Sequence, residues 1–135
     1  MASQLKVDTL TGVTTAGSID VTGEGNSTTT NLQQGLCKAW CYFDGTAGTI
    51  SFSDSFNGSS LTDVATGQYD ISFSSSIANS TYPCNMSESD RNDNCATLPN
   101  DGASCRMYNR LGVDGQTAND NDAANAQFTA HGDLA

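Results

Sequence analysis

From Ile50 to Ser74 apolar and polar residues alternate with a period of two. Ile50, Phe52 and Phe56 share one parity, Ser51, Ser53 and Ser55 take the other, and Asp54 is the one polar residue on the apolar side. Tyr69, Ile71 and Phe73 then alternate with Asp70, Ser72 and Ser74. Successive side chains of a strand point to opposite faces of a sheet, so each segment offers one face to a core and a Ser/Asp face to water. Asp44-Gly45-Thr46-Ala47-Gly48 carries the glycines of a tight reversal, and the Asn/Gly/Ser/Thr-rich stretch 57–67 reads as a longer turn. The pattern predicts a hairpin over about 37–56 followed by a third antiparallel strand. Further on, residues 106–113 and 126–130 alternate again, while the rest of 83–125 reads as an irregular, acidic, cysteine-containing insert. Sustained 3.6-residue periodicity is absent, which disfavours a helical bundle.

Residues 1–36 follow a different pattern. Two brief alternating runs, 5–10 and 19–21, are separated by Gly12 and Gly17 and followed by Gly23 and Gly25. Leu5, Val7, Leu10, Val13, Ile19 and Val21 are too sparse to make a core alone. Their regular spacing weighs against simple disorder and predicts an extended arm whose edge strands pair with a neighbouring subunit. The expected fold is therefore all-β: an antiparallel β-sandwich, jelly-roll-like, over 37–135, preceded by the arm.

Composition narrows the function. Of 135 residues 36% are hydrophobic and 7% aromatic, so the core is thin and an oligomer interface is a natural source of further stability. Five Lys+Arg stand against 15 Asp+Glu, a net charge of −10. A groove that follows phosphates needs clustered cations, so nucleic acid is not an expected partner. No segment approaches the roughly 20 apolar residues of a membrane helix, and no secretory signal is expected at the N-terminus. The sequons at Asn26, Asn57, Asn79 and Asn85 read as by-products of an Asn/Ser/Thr-rich chain.

Candidate chemistry is sparse. Five cysteines are an odd number, so at least one thiol stays unpaired within the chain. Cys37 and Cys41 lie four residues apart, about 13 Å along a strand and too far to bond, and read as small hydrophobes. Cys84, Cys95 and Cys105 allow one bridge and one thiol, or three thiols, and sequence does not choose the pairing. Asp90-Arg91-Asn92-Asp93-Asn94 with Asp101 echoes calcium-loop spacing, but Cys95 stands where glycine is needed and the last ligand is Asp, so no EF-hand is expected. Asn119-Asp120-Asn121-Asp122 takes the same discount. His131 is the single histidine, and no nucleophile-elbow motif accompanies it. No catalytic, cofactor or metal site is expected. Trp40, Tyr42 and Phe43 would suit a sugar platform, but their place in the strongest strand signal predicts core packing, for Trp40 above all.

Three stretches carry a resemblance. LKVDTLTGVTTAGSIDVTGEGNSTTTNLQQGL, then KAWCYFDGTAGTISFSDSFNGSSLTD, then TGQYDISFSSSIANSTY, closing on GDLA, are similar to small virion proteins of marine tailed bacteriophages. The likeness covers roughly residues 5–82 and the last four; residues 83–125 have no counterpart in it. It implies a non-enzymatic virion surface protein made in the host cytoplasm, of tail-fibre or appendage type. Its implied partners are other virion proteins, further copies in a homotrimer, and a host-surface glycan or protein. A capsid-decorating role is the alternative, and a glycan-degrading enzyme ranks last. The appendage reading predicts that 57–67 and 83–125 gather as loops at one distal end.

Overall fold

The computed structural model describes residues 4–12, 19–23, 25–89, 93–111 and 119–133. The chain divides into two units, Met1–Gly35 and Leu36–Ala135. In the first, β1 (Asp20–Thr22) pairs antiparallel with β2 (Thr29–Asn31), and the helical turn α1 (Leu32–Gly35) follows. Gly25 and Asn26 turn the hairpin in left-handed conformations, at φ 93° and 56°. The Asn31 carboxamide accepts from Gln34 N at 3.1 Å, capping α1. Leu5, Val7, Leu10 and Val21 are exposed, Leu5 by 82%, and Ile19 is half-buried; Val13 lies outside the described residues.

The second unit is the sandwich. Its strands are β3 (Cys37–Phe43), β4 (Phe52–Phe56), β5 (Gly58–Ala65), β6 (Gln68–Phe73), β7 (Cys84–Ser87), β8 (Asp93–Pro99), β9 (Ser104–Leu111), β10 (Asn119–Asp120) and β11 (Ala126–His131). One sheet runs β4-β3-β11-β7 and the other β5-β6-β9-β8, all antiparallel. The short β10 pairs with Arg110 and Leu111 of β9; since β8 occupies the opposite edge of those residues, β10 continues the line of β6.

Alternation decides which side chains meet. Ala39, Cys41 and Phe43 of β3 and Ala126, Phe128 and Ala130 of β11 face Tyr69, Ile71 and Phe73 of β6 and Cys105 and Met107 of β9, all buried. Ring contacts stitch the layers: Phe43 meets Tyr69 edge-on at 5.0 Å, and Phe73 stacks on Phe128 at 6.2 Å and meets Tyr82 edge-on at 6.1 Å. The hairpin over 37–56 is β3–β4. The third strand expected to follow it, β6, lies in the other sheet.

Three expectations change. The stretch 57–67, read as a turn, is mostly β5, and the supposed irregular insert contains β7 and β8 as well as β9. These strands are polar because they sit toward the sheet edges and gain their hydrogen bonds from backbone ladders, which demand no apolar sequence. Among the described residues, both segments are therefore largely strand rather than loop. The third change is parity in β4. A bulge between Tyr42 and Phe43 of the β3–β4 ladder places Phe52 opposite Phe43 on the inner face but Phe56 opposite Trp40 on the outer one. One extra residue reverses the face of everything beyond it.

The sandwich closes through its corners. Asn57 alone joins β4 to β5 and adopts φ 59°. Its Nδ2 donates to Lys38 O (3.0 Å) and Ser75 O (2.9 Å), while its Oδ1 accepts from Ser75 N at 2.7 Å. The amide that a sequon would offer to a glycan is thus committed to the corner. At one end of the sandwich the Asn/Asp run acts as a seal. Asp122 Oδ1 accepts from Gly67 N (2.7 Å) and Tyr69 Oη (3.2 Å), and buried Asn109 donates to Asn121 O at 3.0 Å.

Candidate functional site

The outer face of the β4-β3-β11-β7 sheet gathers aromatic side chains that the fold could have buried. Trp40 and Tyr42 are two residues apart on β3 and share its outer side; Phe56 lies directly opposite Trp40, and Asp54 opposite Tyr42. Phe56 is 52% exposed, Tyr42 37%, and Trp40 half-buried. Burying one such ring stabilises a fold by about 1.5–3 kcal/mol. In a chain with a thin core, leaving three rings at least partly open on one face forgoes part of that gain and makes an exposed aromatic patch.

Polar groups continue the face. In register with Trp40 and Tyr42 stand Thr129 and Gln127 of β11, and beyond them Asn85 and Ser87 of β7. Asn85, Ser87, Gln127 and Thr129 line an open depression of about 100 Å³. Asn125 joins the two halves: its Oδ1 accepts from the Tyr42 hydroxyl and its Nδ2 donates to Ser89 Oγ at 3.0 Å, fixing the tilt of the ring. Aromatic ring faces beside amides and hydroxyls are the chemistry of carbohydrate recognition. The rings take the C–H face of a sugar through their negative π-surface, and the amides bond its hydroxyls in either direction.

This arrangement corrects the sequence expectation in two ways. Trp40 does not pack in the core, because its parity on β3 is opposite to that of Ala39, Cys41 and Phe43. Phe43 leaves the sugar platform for the same reason, and Phe56 replaces it. The signal available in the sequence was the all-polar Ser53-Asp54-Ser55 between two phenylalanines, where a bulge costs no core residue.

The outer face of the other sheet differs. Arg106 forms a two-pronged ion pair with Asp70, both bonds 2.7 Å, and Arg110 pairs with Asp120 at 3.1 Å while lying 5.5 Å above the Tyr108 ring. The Arg106 guanidinium holds the Asp70 carboxyl below its ordinary range. Both cations are neutralised by partners on their own sheet.

The remaining candidates fall as follows. Cys41 is buried, its thiol pushed up to about 12 by desolvation, and Cys37 is half-buried with its Sγ 3.1 Å from Ala39 O. Cys84 and Cys105 meet with Sγ atoms 3.5 Å apart, and Cys95 Sγ lies 3.8 Å from Asn109 Oδ1. Asp90, Arg91 and Asn92 lie outside the described residues. Asp101 accepts from Ala103 N at 2.8 Å and Ser104 Oγ at 3.1 Å, capping the β8–β9 turn. His131 pairs with Cys37 at the end of β11. Among the described residues, no three of His, Cys, Asp and Glu come together as a metal-binding group. No protein-family model, curated protein or solved structure matches the chain.

Proposed function

We propose that this protein is a non-enzymatic structural protein of the exterior of a tailed bacteriophage particle. It is of tail-fibre or appendage type and meets host-surface glycan through the Trp40–Tyr42–Phe56 face. The exposed aromatic row beside the Asn/Gln/Thr depression carries this reading; the virion setting comes from the resemblance of 5–82. In this scheme the exposed Leu5, Val7 and Leu10 of the arm attach the protein to other virion proteins or to further copies in a homotrimer. Strand pairing there supplies affinity through backbone hydrogen bonds without a large apolar interface.

Trp40 is the single tryptophan, so its fluorescence reports directly on this face. Titrating the full chain with oligosaccharides released from bacterial surface polysaccharide is expected to change the Trp40 emission saturably. F56A and Y42A are expected to abolish the change while leaving the far-UV circular dichroism intact. No response across Gram-negative and Gram-positive polysaccharides, or a response that survives both substitutions, refutes the glycan-contact reading.

A capsid-decorating role is the second reading, favoured by the arm's exposed apolar residues and by its forming a unit separate from the sandwich. It expects the full chain to bind capsid shells and a chain lacking 1–34 to stay folded without binding.

A further inference from the structure

We infer that Cys84 and Cys105 are a disulfide pair that staples the two sheets together once the protein meets a small-molecule disulfide. Cys84 opens β7, the edge of one sheet, and Cys105 lies in β9, inside the other. Their Sγ atoms are 3.5 Å apart. An S–S bond of about 2.0 Å therefore needs an approach of roughly 1.5 Å, within the reach of side-chain rotation and slight strand adjustment. Two hydrogen bonds hold the strands at this separation: Thr97 Oγ1 of β8 donates to Cys84 O at 2.8 Å, and Tyr82 Oη donates to Ser104 O at 2.9 Å.

The pairing is selective. Cys95 stands opposite Asn109, whereas Cys105 stands opposite Pro99, four residues along the same β8–β9 ladder. That places Cys95 about 13 Å along the strands from Cys105, beyond disulfide reach. Cys41 and Cys37 lie on β3, separated from β7 by the whole of β11. Sequence alone left the three cysteines of 83–125 open; the crossing of the chain from β7 in one sheet to β9 in the other chooses two of them.

The two sulfurs are not equivalent. Cys84 is half-buried and open to solvent, and the hydrogen bond it shares with Cys105 lowers its pKa to about 7. Cys105 is buried, and the same hydrogen bond together with desolvation pushes its pKa upward. Cys84 is thus the attacking thiolate and Cys105 the resolving thiol. With oxidised glutathione as the oxidant, Cys84 loses its proton to solvent and attacks one glutathione sulfur. The glutathione S–S bond breaks, and the departing thiolate takes up a proton. Cys105 then attacks the Cys84 sulfur of the mixed disulfide, its proton leaving with the second glutathione thiol. Two protein thiols lose two electrons and two protons, and one glutathione disulfide becomes two thiols.

The test uses the full chain equilibrated in glutathione buffers from fully reduced to fully oxidised. It is quenched in denaturant with N-ethylmaleimide and weighed as the intact protein. Two of the five thiols are expected to escape alkylation as the oxidised fraction rises. C95S is expected to retain this loss, and C84S and C105S to abolish it, with circular dichroism reporting that each variant is folded. Five alkylated thiols at every ratio overturn the inference. So does an internal bridge that persists in folded C84S, or oxidation that yields only a doubled mass.

Discussion

Asn57 offers a sharp test of how the two sheets are joined. A one-residue corner must reverse direction from β4 into β5, and the left-handed φ of 59° achieves this at a cost that Asn tolerates better than most residues. Its carboxamide also makes three hydrogen bonds, to Lys38 O, Ser75 O and Ser75 N. Each contributes about 1 kcal/mol, because the alternative leaves a partly buried backbone group without a partner. Asn57→Ala removes all three and keeps a Cβ in the left-handed region, a further cost of about 1 kcal/mol, for a total of about 4 kcal/mol. Asn57→Gly loses the same bonds but relieves the φ strain; with about 0.5 kcal/mol for its greater backbone freedom when unfolded, it is expected to cost about 3.5 kcal/mol. Asn57→Asp keeps the acceptor for Ser75 N but sets a carboxylate oxygen against the Lys38 and Ser75 carbonyl oxygens, and is expected to cost at least as much as alanine, about 4 kcal/mol. Urea denaturation followed by far-UV circular dichroism gives the three values. An alanine variant within 0.5 kcal/mol of the parent refutes the corner as a stabilising device. A glycine variant no better than alanine refutes the role of φ.

Phe128→Ala removes the ring stacked on Phe73 at the centre of the sandwich and is expected to cost about 3–5 kcal/mol in the same assay. The Asp70 carboxyl is depressed by Arg106 in the folded state, so its contribution is present above the unfolded value near 3.8 and is lost as pH falls through the lower folded value. For so partly exposed a pair the contribution is about 1 kcal/mol. Denaturation of the parent and Asp70→Asn from pH 7 to pH 2 is expected to show their difference shrinking below about pH 4. The Cys84–Cys105 bridge closes a loop of 21 residues. It is expected to raise stability by about 3 kcal/mol in the oxidised protein, measured as the shift in denaturation midpoint against the reduced one.

Strands with an apolar face were legible. Phe43, Tyr69-Ile71-Phe73, Met107 and Phe128 all lie where alternation places them, and together they fix an all-β sandwich. Strands that need no apolar face were not. β5 reads Gly-Ser-Ser-Leu-Thr-Asp-Val-Ala and is held by its ladder to β6, with Leu61 alone turned to the core; β7 is too short, at four residues, for its Cys84 and Met86 to stand out. Asp122, in a run discounted as solvated turn, caps Gly67 and Tyr69. The aromatic face was half legible. Trp40 and Tyr42 stood out, but deciding that they point outward requires knowing that Ala39 and Cys41 point inward, and both parities carry apolar residues in this strand. The thiol pair was beyond reach for a different reason. It depends on which sheets β7 and β9 join, and no local pattern encodes that.

The chain runs from the arm through Leu36 straight into β3, the strand that carries Trp40 and Tyr42 and lies between β4 and β11. A pull between whatever holds the arm and whatever grips those rings therefore enters and leaves the sandwich along one backbone. Such a tension runs along the covalent backbone of β3 between Cys37 and Tyr42, and the ladders to β4 and β11 hold that strand in place beside it. Tyr69, Ile71, Phe73 and Phe128 of the core stand on other strands, so under the proposed function a pull between the arm and those rings would pass them by.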